Sequence, residues 1–150
     1  MTVDENRPVV APHFPSLRLK DGGYESFYVR AVDPQRPRSV WLRHTVHKAP
    51  GEAAVGSVWV TVFDAQTAAP VAHKASVPGP VVDGWVRIGA SAFGPRGVCG
   101  EAGPASWDLS WEGSEDVLRH LPQAWMYRAR LPRTKLESPL PSAAVSGRPS

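Results

Sequence analysis

Several things are scarce in this chain, and each shortage closes a class of function. There is one cysteine, Cys99, in 150 residues, so no internal disulfide can form. It sits in Gly97-Val98-Cys99-Gly100 without a neighbouring His or second Cys, which reads as a small structural residue and not a reactive thiol. No window holds the roughly eighteen apolar residues that a membrane-spanning helix needs. The opening Met1-Thr2-Val3-Asp4-Glu5-Asn6 has neither the basic nor the apolar region of a signal peptide. With the single thiol, this points to a reducing, cytoplasmic setting. No glycine loop precedes a Lys and a Ser or Thr, and no dinucleotide fingerprint is present. Gly89-Ala90-Ser91-Ala92-Phe93 fails as a nucleophile elbow, because Phe93 stands where that motif needs Gly. Long amphipathic helices are missing too, which excludes a Rossmann-type framework.

What is present favours strands. The chain is 42% hydrophobic and 21% charged, enough for one domain with a real core. Sixteen Pro and thirteen Gly favour turns over helices. Strand candidates run over 24–31, 39–48, 55–64, 71–77, 84–93, 98–102 and 106–112. Turn residues join them: Pro50-Gly51, Pro78-Gly79-Pro80, Asp83-Gly84, Gly94-Pro95-Arg96-Gly97 and Gly103-Pro104. This spacing predicts an all-β, antiparallel fold, either a closed barrel or an open half-barrel meander with little helix. One helical turn is expected over 114–121, capped by Ser114, with Glu115 and Asp116 in the first turn and Pro122 beyond. In 106–112, Trp107, Leu109 and Trp111 should point inward and Asp108 and Ser110 outward. Six Trp is a high count, suited to cores, mouths and ligand walls.

The second strand offers two faces. Val40, Leu42, His44 and Val46 share one; Trp41, Arg43, Thr45 and His47 share the other. In one reading the aliphatic face fills the core and Arg43 and His47 meet solvent. In the other, Trp41, Arg43, Thr45 and His47, with Trp59 on the next strand, line a ligand cavity, where an aromatic, a cation and an imidazole hold the polar end of an apolar ligand. A guanidinium buried in such a wall needs a partner, and Glu25 or a backbone carbonyl is expected beside it. Glu25 is also a candidate acid, as is His47. His44 and His47 fall on opposite strand faces and cannot share an ion, and His13, His73 and His120 are scattered, so neither metal nor other cofactor is expected.

Glu25-Ser26-Phe27-Tyr28, Trp41-Leu42-Arg43-His44-Thr45-Val46-His47 and Gly56-Ser57-Val58-Trp59 together resemble the amino-terminal half of the hydroxyneurosporene synthase and AttH-type proteins, in particular their actinobacterial branch. The resemblance covers about residues 22–147 and implies a lipocalin-like β-domain. It sets boundaries at 1–21 for a flexible leader, 22–124 for the β-domain and 125–150 for a basic, Pro-rich crossing segment that leads, in the family, to a second barrel. From Leu118 onward six Lys and Arg face a single acid, Glu137. If a second barrel, or a second copy, packs here, an apolar patch should be exposed near Trp125–Leu136.

The function implied is binding of an apolar or amphipathic small molecule, with isoprenoids as one class. Two alternatives stand beside it. One is a hydratase or cyclase acting on an isoprenoid, for which Glu25 or His47 would supply the acid in a dry pocket. The other is a nucleic-acid-binding β-barrel, which would interleave surface aromatics with Lys or Arg on one sheet face.

Overall fold

A computed structural model describes residues 11–113, 115–131 and 134–149. Every strand pairing in it is antiparallel. Strands β1 (Gly23–Val32), β2 (Arg38–Lys48), β3 (Val55–Asp64) and β4 (Val71–Pro78) form sheet A in the order of the chain. Sheet B contains β5 (Val86–Ile88), β6 (Ser91–Gly94), β7 (Gly97–Ala102) and β8 (Ala105–Glu112). Between them and the last strand lie β9 (Leu118–Arg119) and β10 (Glu137–Ser138), a two-residue ribbon. Then β11 (Ala144–Pro149) returns to pair with β8, giving sheet B the order β11-β8-β7-β6-β5. Neither sheet closes on itself, so of the two expected architectures the open meander is the one formed. Among the described residues no helix is long and apolar enough to cross a membrane.

Alternation decides the core. On β2 it is Val40, Leu42, His44 and Val46 that point inward, meeting Val58 and Val60 of β3. From sheet B come Val86, Ile88, Phe93, Val98, Trp107, Leu109 and Trp111. The β8 register is as expected, with both Trp rings and Leu109 buried and Asp108 and Ser110 exposed. Fully burying a side chain such as Leu42 stabilises by about 1.5–3 kcal/mol. The sheets approach so closely at Gly56 that a β-carbon there would lie 2.7 Å from Ile88.

Two local expectations are corrected. The segment 84–93 is not one strand: Gly89, at φ +58°, turns the chain between β5 and β6, and that left-handed turn favours glycine. The helical turn expected over 114–121 does not form among its described residues, because Leu118 and Arg119 pair instead with Ser138 and Glu137; Ser114, its expected cap, lies outside the described residues. Residues 17–21 make contacts with sheet A. Lys48 is buried and its Nζ donates to the carbonyls of Leu19 and Asp21, both at 2.7 Å, while Leu17 packs against Gly23.

Candidate functional site

Because the even-numbered residues of β2 fill the core, Trp41, Arg43, Thr45 and His47 lie on the opposite, open face of sheet A. The cavity wall expected of them is not what forms. Val40, Leu42 and Val46 meet sheet B, so the odd-numbered four stand on the face of sheet A turned away from the core, where Trp41 and His47 are exposed, Arg43 is half-buried and Thr45 is buried. Pairing then brings neighbours to each one. Trp41 lies between Arg30 and Thr61, Arg43 between Tyr28 and Trp59, Thr45 between Ser26 and Ser57, and His47 between Tyr24 and Val55. Lys74 on β4 stands opposite Trp59. Trp41 and Trp59 are each 39% exposed, Tyr28 45% and Tyr24 59%. Large rings held open to this degree across adjoining strands make an exposed aromatic layer.

Arg43 is the best-fixed group of the layer. Its Nε donates to Ser26 Oγ at 2.8 Å and its Nη2 to Tyr24 Oη at 2.7 Å. Its Cζ lies 6.0 Å from the Tyr24 ring centre and 5.9 Å from that of Trp41, within cation–π range. The partners are hydroxyls; Glu25, expected beside it, projects from the other face of β1. Tyr28 meets Trp41 edge-on at 6.3 Å. Lys74 Nζ sits 4.3 Å over the Trp59 ring, a close cation–π contact. The indole of Trp59 reaches Thr45 Oγ1 at 3.5 Å, which is long for a hydrogen bond. Thr45 is buried beneath this layer and His47 is exposed at its end.

The outward side chains of sheet A include three cations, Arg30, Arg43 and Lys74, and no carboxylate. Such a face attracts anions and offers flat apolar surfaces beside each positive charge. Tyr24, Tyr28, Arg30 and Lys74 were not singled out in the sequence. Extending the period-two alternation of β2 to its paired strands would have found them, since each shares the face of Trp41.

The remaining candidates do other things. Glu25 accepts from the backbone N–H of His13 at 2.9 and 3.0 Å and of Phe14 at 2.8 Å, capping the 3-10 turn at Phe14–Ser16 and pinning the leader to β1. Glu25 and His47 therefore stand on opposite faces of sheet A and do not converge. His44 is wholly buried, edge-on to Phe93 at 5.4 Å, and neither ring nitrogen has a hydrogen-bond partner. Burial pushes its pKa down to about 4, so the ring is neutral at neutral pH. Among the described residues no three His, Cys, Asp or Glu side chains group as metal ligands. In the crossing segment Trp125, Leu131 and Leu136 are exposed, and Arg119 is held by Glu137 at 3.1 Å.

No family model, curated protein or solved structure matches the chain.

Proposed function

We propose that this chain is a binding domain that lays an amphipathic, anionic small molecule across the open face of sheet A, its apolar body on Trp41 and Trp59 and its anionic end near Arg43 and Lys74. One observation carries the proposal. Five aromatic rings, Tyr24, Tyr28, Trp41, Trp59 and Phe63, and three cations share a sheet face that holds no carboxylate. The resemblance to the hydroxyneurosporene synthase and AttH-type proteins adds support for an apolar body, isoprenoids among the classes. The hydratase and cyclase alternative draws no support from the site, since Glu25 and His47 occupy opposite faces and neither lies in a dry pocket.

Single-stranded nucleic acid is the second reading, favoured by the same interleaving of half-exposed aromatics with Arg and Lys. The cation count ranks it second. Three cations would neutralise about three phosphates, against the six to ten contacts of strong backbone binders. Tryptophan fluorescence separates the readings. Farnesyl phosphate should quench saturably, farnesol should bind at least tenfold more weakly, and a ten-residue oligothymidylate should bind more weakly than farnesyl phosphate. An oligonucleotide that binds tighter than farnesyl phosphate would reverse the order. Absence of saturable quenching by any of the three would overturn both.

A further inference from the structure

Between β8 and the strand that returns to it as β11, residues 118–138 fold on themselves. The ribbon of β9 and β10 closes their base, with Leu118 opposite Ser138 and Arg119 opposite Glu137. The 3-10 turn Ala124–Tyr127 lies within the loop. Tyr127 fastens it to both arms, its Oη accepting from the Leu121 N–H at 2.9 Å and donating to the Leu136 carbonyl at 2.8 Å. Lys135 Nζ crosses to the Ala129 carbonyl at 2.8 Å. Such a loop holds its side chains in place, those it leaves outside included. No residue of the turn is buried, Trp125 is 56% exposed, Leu131 67%, and Leu118 is exposed with them. One exposed apolar side chain is ordinary, whereas three in one loop mark a surface that meets something apolar. The charge beside them has one sign. Arg119, Arg128, Arg130 and Lys135 are exposed, and Glu137, the only carboxylate from Leu118 to Ser138, is taken by Arg119. Side chains three apart eclipse in a 3-10 turn, which sets Arg128 on the side of Trp125.

We infer that this loop docks on an anionic lipid bilayer, Trp125 and Leu131 entering the headgroup boundary while Arg128, Arg130 and Lys135 lie against the lipid anions. The two kinds of side chain together select this partner. Tryptophan settles at the membrane–water interface and leucine supplies apolar area to the acyl boundary. Each Lys or Arg near an anionic surface adds roughly fivefold in affinity. A second copy of the chain fits poorly, because a two-fold contact would set the same cations against one another. Single-stranded nucleic acid would take the cations but leaves Leu118 and Leu131 without a role, since its bases stack on rings. The loop shares no residue with the open face of sheet A, and its test does not depend on that reading.

Co-sedimentation of the whole chain with lipid vesicles decides it. Vesicles of one part phosphatidylserine to two parts phosphatidylcholine should bind at least tenfold more tightly than phosphatidylcholine alone, and the gain should shrink as salt is raised. Trp125→Ala with Leu131→Ala should weaken binding at least tenfold. Arg128→Gln with Arg130→Gln should cut the preference for phosphatidylserine at least fivefold. Urea unfolding of both pairs should match the parent chain, since all four positions are exposed, and this separates lost docking from lost folding. Should the first pair alter the loop, the Arg pair decides. Lys74→Gln on sheet A should leave vesicle binding unchanged. The inference fails if neither vesicle is bound, if both are bound equally, or if the Arg pair binds like the parent. A loss in Lys74→Gln as large as in the Arg pair would overturn it by moving the lipid to sheet A. So would self-association that the loop variants abolish while vesicles are not bound, which would make a second copy the partner.

Discussion

The two sheets cover one core between them, yet their outward faces are built of different residues. Sheet B shows Cys99, Glu101, Ser106, Asp108, Ser110 and Glu112, with Arg87 held by Asp83 at 2.7 Å. It carries three carboxylates and, among its described residues, no outward aromatic. Sheet A shows Tyr24, Tyr28, Trp41, Trp59 and Phe63 with Arg30, Arg43 and Lys74, and no carboxylate. Solvation and folding alone are met by the sheet B pattern of small and charged residues, which hides apolar area and discourages association. Keeping rings open to water on sheet A does nothing for either. That contrast is the ground for proposing sheet A as the binding face.

If the contrast concerns partners and not folding, stability should depend on the inward residues and be indifferent to the outward ones of both sheets. Leu42→Ala, which empties part of the shared core, should cost about 2–5 kcal/mol in urea unfolding. Lys74→Gln on sheet A and Asp108→Asn on sheet B should each stay within about 0.5 kcal/mol. A Lys74 variant as damaging as Leu42→Ala would make the aromatic face structural and dissolve the comparison.

The next effect comes from the same inward layer. An unfolded imidazole takes its proton near pH 6.5, whereas His44 in the core resists until about pH 4. Between those values the unfolded chain binds more protons, so the stability due to the neutral ring is lost as pH falls through the window. The loss amounts to at most about 3.5 kcal/mol, from about 1.4 kcal/mol per pH unit over a window of about 2.5 units. His44→Leu should flatten the pH 4–6.5 limb of the stability profile. An unchanged slope in that variant would place the acid sensitivity in another group.

How much of this was legible depended on distance along the chain. Strands β2, β3 and β8 follow from local alternation, and β3 was placed to the residue. The two faces of β2 were legible as sets, but which one turns inward was not, because Trp41 is as able to fill a core as Leu42. Packing against sheet B decides it, through Val58, Val60 and the bare Gly56 under Ile88. Pairings that span long stretches were invisible. Strand β11 lies on β8 across more than thirty residues, with a sequence of low strand propensity. Glu25 caps a turn eleven and twelve residues before it, and its alternation gave no hint of that partner.

Binding should divide the two faces more sharply than stability does. Replacing Trp41 and Trp59 by Ala removes the apolar floor of the sheet A face, and each aromatic contact of this kind is worth about 1–3 kcal/mol. Affinity for farnesyl phosphate should fall at least tenfold. Arg43→Met should cost a further several-fold while preserving the bulk of the stem. On sheet B, Asp108→Ala with Glu112→Ala should leave affinity within a factor of two. Equal losses on the two faces would mean that the ligand is held elsewhere and that the aromatic layer has another purpose.

The smallest effect is electrostatic and tests whether the faces act independently. Packed sheets lie about 10 Å apart, so charges on the outward faces are separated by more than that. At 0.1 M salt the screening length is about 10 Å, and the carboxylates of sheet B should scarcely be felt by an anion on sheet A. At 0.01 M it grows to about 30 Å, and the two faces should begin to communicate. Asp108→Asn is then expected to raise affinity for farnesyl phosphate slightly, by less than a factor of two, in dilute buffer and not at 0.1 M. Lys74→Gln should weaken binding at both concentrations, because its charge stands directly over the Trp59 ring on which the ligand would rest. If Asp108→Asn acts as strongly as Lys74→Gln at 0.1 M salt, the anion is not on sheet A.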